Sequence, residues 1–163
     1  MSKAQVDVHE ITSKEEFKVI LEKFKDYEFL HDVTDDDKIN AYVEKQLTYG
    51  HVIAEYHDDD PVGFISFYDN DKENKTGYIS VFALSDELGF MKGKTMVRIA
   101  LESFKVAKDC GLDKIKIEVD KENKVARKLY EHLGFKYTGE ETDHSLFMLV
   151  GFDSLASVMG KKK

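Results

Sequence analysis

Two glycines, Gly111 and Gly134, punctuate a run that few architectures accommodate, GLDKIKIEVDKENKVARKLYEHLGF. Each ends a stretch of helical spacing and stands where a left-handed residue closes a helix at least cost, because glycine has no Cβ to clash there. Between them Ile115, Ile117 and Val119 alternate with Lys114, Lys116 and Glu118, the period of a strand with one buried face. Asn123 then opens a short helix. Ala126, Leu129, Tyr130 and Leu133 follow at i, i+3, i+4 and i+7 on one side of it. Residues 93–135 therefore read helix, glycine stop, strand, turn, helix, glycine stop, strand.

The chain before this block predicts a strand at 6–11 and then two helices. Ser13 with Glu16 three residues on is a capping box, and Phe17, Ile20, Leu21 and Phe24 give the helix a core face. Thr34 is a second N-cap, with Asp35, Asp36 and Asp37 in the first turn, where the helix dipole favours anions. That triple aspartate reads as a helix start before it reads as a metal site. Ile39, Tyr42, Val43 and Leu47 carry this helix to Gly50. The period then changes to strands at 51–56, at 62–68 and at GYISVFAL, an antiparallel meander joined by polar turns. Pro61 is expected in the first of those turns, where its missing N–H costs nothing. Helices resume near Lys92, and FKYTGEE and HSLFMLV give two final strands. The predicted fold class is α/β (α+β), a mixed and mostly antiparallel sheet flanked by helices in the order βααβββαβαββ. Residues 1–152 form one domain and 153–163 a terminal turn and basic tail.

Composition excludes several functions. A net charge of −8 argues against general nucleic-acid binding, which needs clustered Lys and Arg against phosphates. No apolar run approaches the ~18 residues of a membrane span, and MSKAQVDVHE has no signal-peptide core, so a cytoplasmic protein without a membrane partner is expected. One cysteine, Cys110, reads as a buried thiol near a helix end and rules out a disulfide framework. No His/Asp/Glu set has metal-ligand spacing, so no metal is expected.

The pattern Asn-x-x-Ala-x-x-Leu-Tyr-x-x-Leu-Gly-Phe, met from Asn123 to Phe135 directly after a strand, resembles the acyl-CoA-binding half of the GNAT N-acetyltransferase superfamily. The element order agrees, so the resemblance covers about residues 5–150. It implies acetyl-CoA as co-substrate and acetyl transfer to a primary amine by direct attack. Backbone at Phe82, Ala83 and Leu84 would bond the pantetheine amides and polarise the thioester, in a gap where that strand parts from KIKIEV. Phe90, Met91, Lys92, Gly93, Lys94 and Thr95 would form the diphosphate turn at a helix N-terminus, a natural anion site. The family usually has Arg/Gln-x-x-Gly-x-Gly/Ala there; this chain keeps only the first glycine, as Gly93, with Lys92 and Lys94 adding charge. Asn123 would bond the pantetheine arm beside Ala126, and Tyr130 would protonate the leaving thiolate. A phenol with a pKa near ~10 can do so at neutral pH.

Many members carry a glutamate base on the strand before the turn. The matching residue is Ser80, which cannot serve, so the base stays open among Glu55, His57, Asp69 and a water chain. Tyr27, Phe29, His31 and His144 are candidates for the acceptor pocket, and His132 is expected in solvent. A small-molecule amine is the expected acceptor, and a homodimer is compatible with this reading. The alternatives are O-acylation, a longer acyl chain, or a non-catalytic acyl-CoA-binding module. GFMKGKT also resembles a P-loop, but the first glycine falls one residue late, at Gly89 instead of position 88, and the antiparallel meander contradicts a P-loop sheet.

Overall fold

Alternation along one strand decides where the helical layers go. Ile65 and Phe67 point into one core and Phe64, just before them, into the other, so this strand is buried on both faces. The computed structural model describes residues 5–25 and 36–154. Its first half contains β1 (Val6–Glu10), α1 (Lys14–Lys23), α2 (Asp36–Tyr49), β2 (Gly50–His57), β3 (Asp60–Asp71) and β4 (Thr76–Leu84). After a 3₁₀ turn (Asp86–Met91) come α3 (Lys92–Asp109), β5 (Lys114–Asp120), α4 (Lys124–His132), β6 (Lys136–Glu141) and β7 (Ser145–Gly151). The sheet runs β1-β2-β3-β4-β5-β7-β6. Only β4 and β5 among these neighbours pair in parallel.

The α1/α2 face is filled by Phe17, Ile20, Leu21, Phe24 and Val43 against Val52, Ala54 and Phe64. The other face packs Met96, Ile99 and Ala107 of α3, with Leu133 after α4, on Ile53, Ile65, Ile79, Ile115 and Ile117. Each of these side chains larger than alanine contributes about 1.5–3 kcal/mol on leaving water. The predicted element order is therefore observed, with the 3₁₀ turn added.

Both glycine stops take the expected left-handed form, with φ of 87° at Gly111 and 101° at Gly134. Three local expectations change. Pro61 is not in the turn; it is the second residue of β3, paired with Tyr56 beside a bulge that tolerates its missing N–H. The capping box is half formed: Ser13 Oγ accepts from the Glu16 N–H at 3.2 Å, but Glu16's carboxylate turns to the Tyr56 hydroxyl at 3.0 Å. Leu129 is at the surface of α4 rather than on a buried face. The expectations at Thr34 and Asp35, and those for 155–163, lie outside the described residues.

Candidate active site

The parallel pairing of β4 with β5 stops at Ile79 opposite Ile117, although β4 runs on to Leu84 and β5 to Asp120. Beyond that point the two strands part, as the sequence led us to expect. The local cause is a bulge. Ile79 pairs with Phe67 and Val81 with Ser66, which leaves Ser80 as an extra residue. A bulge bends its strand and raises the twist. It also breaks the alternation, so Ile79, Phe82 and Leu84 share one core while Val81 and Ala83 join the other. Ser80 Oγ lies 3.0 Å from the Tyr42 hydroxyl and 2.8 Å from Ser66 Oγ, and donates to Gln46 Oε1 at 3.1 Å. Where a glutamate was sought, the chain has a hydroxyl tied to α2. Past the bulge, the β5-facing edge of 81–84 has no strand partner among the described residues.

The turn after β4 offers a helix N-terminus. Met91 is the N-cap of α3 and makes no side-chain cap bond. The N–H groups of Gly93 and Lys94, at the positions a cap side chain would satisfy, therefore receive no side chain there. A Cβ built on Gly93 meets nothing within 4 Å, so packing does not require glycine at this position. Gly89 does need its freedom: φ of 54° with ψ of −126° kinks the 3₁₀ turn. Phe90 is 96% exposed, and Lys92 Nζ reaches Asp86 at 3.1 Å. The Thr95 side chain is buried and donates to Glu55 Oε2 at 2.8 Å, so it faces the sheet and leaves only the backbone of this residue to the turn.

Glu55 is fully buried on β2 and accepts four hydrogen bonds. Arg98 Nε gives one at 2.6 Å and Arg98 Nη2 one at 2.9 Å; Thr95 adds the third and His57 Nε2 a fourth at 2.8 Å. Burial alone would raise its pKa, but the bonds from Arg98, Thr95 and His57 outweigh it and hold the carboxyl below the usual range. Such a carboxylate clamps α3 to the sheet and is a poor base. His57 spends its Nε2 on that clamp. Asp69 pairs with His51 at 2.9 Å, near the end of the sheet where β4 and β5 are still joined. Each of the three candidate bases is therefore hydrogen-bonded to another side chain.

Across the gap, Asn123 caps α4: its Oδ1 accepts the Ala126 N–H at 3.1 Å. Its side-chain NH₂ has no partner among the described residues. We expect Asn123→Ala to cost about 1 kcal/mol through the lost cap, read as a lower denaturant midpoint with unchanged slope. Ala126 and Tyr130 pack on the α3-side core, and the Tyr130 ring lies 5.5 Å from that of Phe135. The Tyr130 hydroxyl makes no hydrogen bond among the described residues, and burial pushes its pKa up to about 12. It stays protonated at neutral pH. Phe82 of β4 and Tyr130 of α4 line one apolar cavity of about 30 Å³, together with Ile79 and Ile115. Beside α4's start, Asp120, Lys121, Glu122, Asn123, Asp143 and His144 line an open cleft of about 550 Å³. His132 is exposed as expected. Tyr27, Phe29 and His31 lie outside the described residues.

Sequence reasoning missed the Glu55–Thr95–Arg98 clamp and the Tyr42–Ser66–Ser80–Gln46 network. Gln46, a buried amide on α2's packed side, was the one available sign of the latter.

Residues 8–135 match the family model described as the Acetyltransferase (GNAT) family, and the chain belongs to that family. No curated protein matches the sequence. Solved structures share the fold. An aminoglycoside 6′-acetyltransferase type Ii superposes with a TM-score of 0.75 at 16% identity, over 90% of this chain and 97% of that one. The protein yncA from Salmonella typhimurium, with its cofactor acetyl-CoA, gives 0.69 at 20% identity, over 91% and 94%. The PaiA N-acetyltransferase from Thermoplasma acidophilum, in complex with coenzyme A, gives 0.68 at 15%, over 90% and 99%. No helix among the described residues is long and apolar enough to cross a membrane.

Proposed function

We propose that the protein transfers an acetyl group from acetyl-CoA to a primary amine of a small molecule, by direct attack, with Tyr130 as general acid. The observation that carries this is the shared lining by Phe82 and Tyr130, which sets the part of β4 beyond the bulge and the tyrosine of α4 against one apolar cavity beside the parting of β4 and β5. Acetyl-CoA supplies an activated thioester, which a neutral amine can attack at its carbonyl carbon. Backbone N–H groups at 82–84 hold the carbonyl oxygen as it gains charge, an oxyanion-type role. Tyr130 gives its proton to the sulfur as the C–S bond breaks. The amine loses its proton to water, since Glu55, His57 and Asp69 are engaged elsewhere. Holding both substrates in register supplies much of the acceleration.

Binding follows the same residues. Gly93 and Lys94 offer N–H groups to the diphosphate, Lys92 and Lys94 offer charge, and the Asn123 amide offers a donor to the pantetheine arm. In the cleft Asp120, Glu122 and Asp143 stand against one lysine, Lys121; this acidic excess attracts a protonated amine, which gives a proton to solvent before it attacks, and is the support for an amine acceptor.

Gly93→Ala separates this reading from a structural role for the glycine. The added methyl meets no protein atom, so we expect stability to hold or rise by up to ~1 kcal/mol, while acetyl-CoA affinity falls at least about tenfold. Thermal unfolding and calorimetric titration read the two effects. Thiol release from acetyl-CoA in the presence of a panel of primary amines tests turnover; tight binding with no release across the panel would instead favour a non-catalytic acyl-CoA-binding module.

A further inference from the structure

Three side chains from three elements converge at the end of the sheet away from the parted strands. His51 lies in β2, Asp69 in β3, and Cys110 caps α3. His51 Nε2 is 2.9 Å from Asp69 Oδ2 and 3.3 Å from Cys110 Sγ, and the three ligand atoms lie within 4.8 Å of one another. We propose that His51, Asp69 and Cys110 form a binding site for one borderline-soft divalent cation of the zinc class. This goes beyond the acetyl-transfer reading and does not rest on it.

The spacing fits such an ion. Tetrahedral zinc sits about 2.0–2.3 Å from N, O and S ligands, so its ligand atoms stand roughly 3.3–3.6 Å apart. The two separations from His51 Nε2, 2.9 Å to Asp69 and 3.3 Å to Cys110, need to open by only about half an ångström or less. Orientation fits as well. His51 Nδ1 is 2.7 Å from Glu10 Oε2, which leaves Nε2 for the ion, and the imidazole lies over Phe67 with ring centroids 5.3 Å apart. A carboxylate behind a ligating histidine fixes its tautomer and ring direction, and strengthens it as a ligand.

Charge points the same way. The Glu10 and Asp69 carboxylates and the Cys110 thiol converge on His51, and the cation beside them is Lys72. Its Nζ is 3.5 Å from Asp69 Oδ2 and donates to the Cys110 carbonyl at 3.3 Å. Lys72's side chain is 59% exposed, so it can swing into water and yield its place. A bound dication favours the thiolate form of a coordinating cysteine. Binding therefore releases the thiol proton to solvent, with sulfur coordinating as thiolate. A mixed N, O and S donor set selects zinc or cobalt over magnesium or calcium, and three protein ligands leave a fourth position for water.

The site is remote from acetyl transfer. Cys110 and the diphosphate turn stand at opposite ends of the 18-residue α3, roughly 27 Å apart along its axis. Its ligands stand 18 and 41 positions apart in sequence, which is why spacing gave no metal signal, and the proposal departs from that expectation.

Cobalt(II) titrated into the purified, reduced, full-length protein tests the site. One equivalent should give tetrahedral ligand-field bands and a thiolate-to-cobalt charge-transfer band, both displaced by zinc and unaffected by magnesium. Cys110→Ser should abolish the charge-transfer band, and Glu10→Gln should weaken cobalt binding about 10–100-fold while leaving the thermal midpoint of the metal-free protein nearly unchanged. No bands at stoichiometric cobalt, or a charge-transfer band that persists in Cys110→Ser, would overturn the proposal. Acetyl-CoA titration of the same variants is expected to be unchanged, which keeps this result separate from that of the acetyl-transfer site.

Discussion

Tyr130→Phe is expected to lower acetyl-transfer turnover by about 10²–10⁴-fold, the range for losing a positioned general acid. Acetyl-CoA affinity should be almost unchanged, because the hydroxyl makes no hydrogen bond among the described residues and the ring still packs against Phe135. A stopped-flow assay of thiol release and a calorimetric titration read the two halves. The pH dependence has a sign. Burial raises the phenol's pKa to about 12, so the proton-donating form is present below that value and is lost only above it. An alkaline fall of turnover near neutral pH therefore cannot come from Tyr130. A Phe variant that turned over at the wild-type rate would remove the proposed acid.

Glu55→Ala should destabilise the fold by about 3 kcal/mol, the lower end for breaking a buried ion pair, because Arg98 keeps 35% of its side chain exposed and can turn to water. For a chain of this size that corresponds to roughly 6–12 °C in the unfolding midpoint. The Arg98→Met change added to Glu55→Ala should recover part of the loss, since it removes the charge left behind. Glu55's folded pKa lies below its unfolded value, so its contribution is fully present above about pH 5. It disappears as pH falls through the depressed folded value. The gap in midpoint between wild type and variant should be constant at neutral pH and close in acid.

The two results separate what the clamp and the phenol do. Glu55, Thr95 and Arg98 seat α3 against β2, and so fix where its N-terminus points. Tyr130 acts on the far wall of the gap. Loss of the clamp should appear first in stability, whereas loss of the phenol should appear in rate.

Local signals in the sequence were enough for the element order. Gly111 and Gly134 adopt the left-handed conformations that their positions required, and Asn123 caps the helix that its spacing announced. Ile115, Ile117 and Val119 turn their apolar face to the core as alternation demanded. What was not legible depends on partners far along the chain. The bulge at Ser80 is a mismatch between β4 and β3, and a one-residue break in alternation is invisible until the register with Phe67 is known. Thr95 looked like a turn residue because its true partner, Glu55, lies 40 positions away on β2. Pro61 reads as a turn residue in isolation and is accommodated in β3 beside a bulge, with Val62 the extra residue between the Glu55–Gly63 and Tyr56–Pro61 pairs. Leu129 shares helical spacing with Tyr130, yet α4 sits far enough out that only part of that face meets the core.

Calorimetric titration of the purified protein with acetyl-CoA, with ATP-magnesium in a parallel cell, tests the central claim most directly. The account predicts one acetyl-CoA site with a micromolar dissociation constant, weakened in Gly93→Ala, and no heat with ATP. Absence of acetyl-CoA binding at millimolar concentration would contradict it, because the parted strands and the uncapped start of α3 would then hold no cofactor.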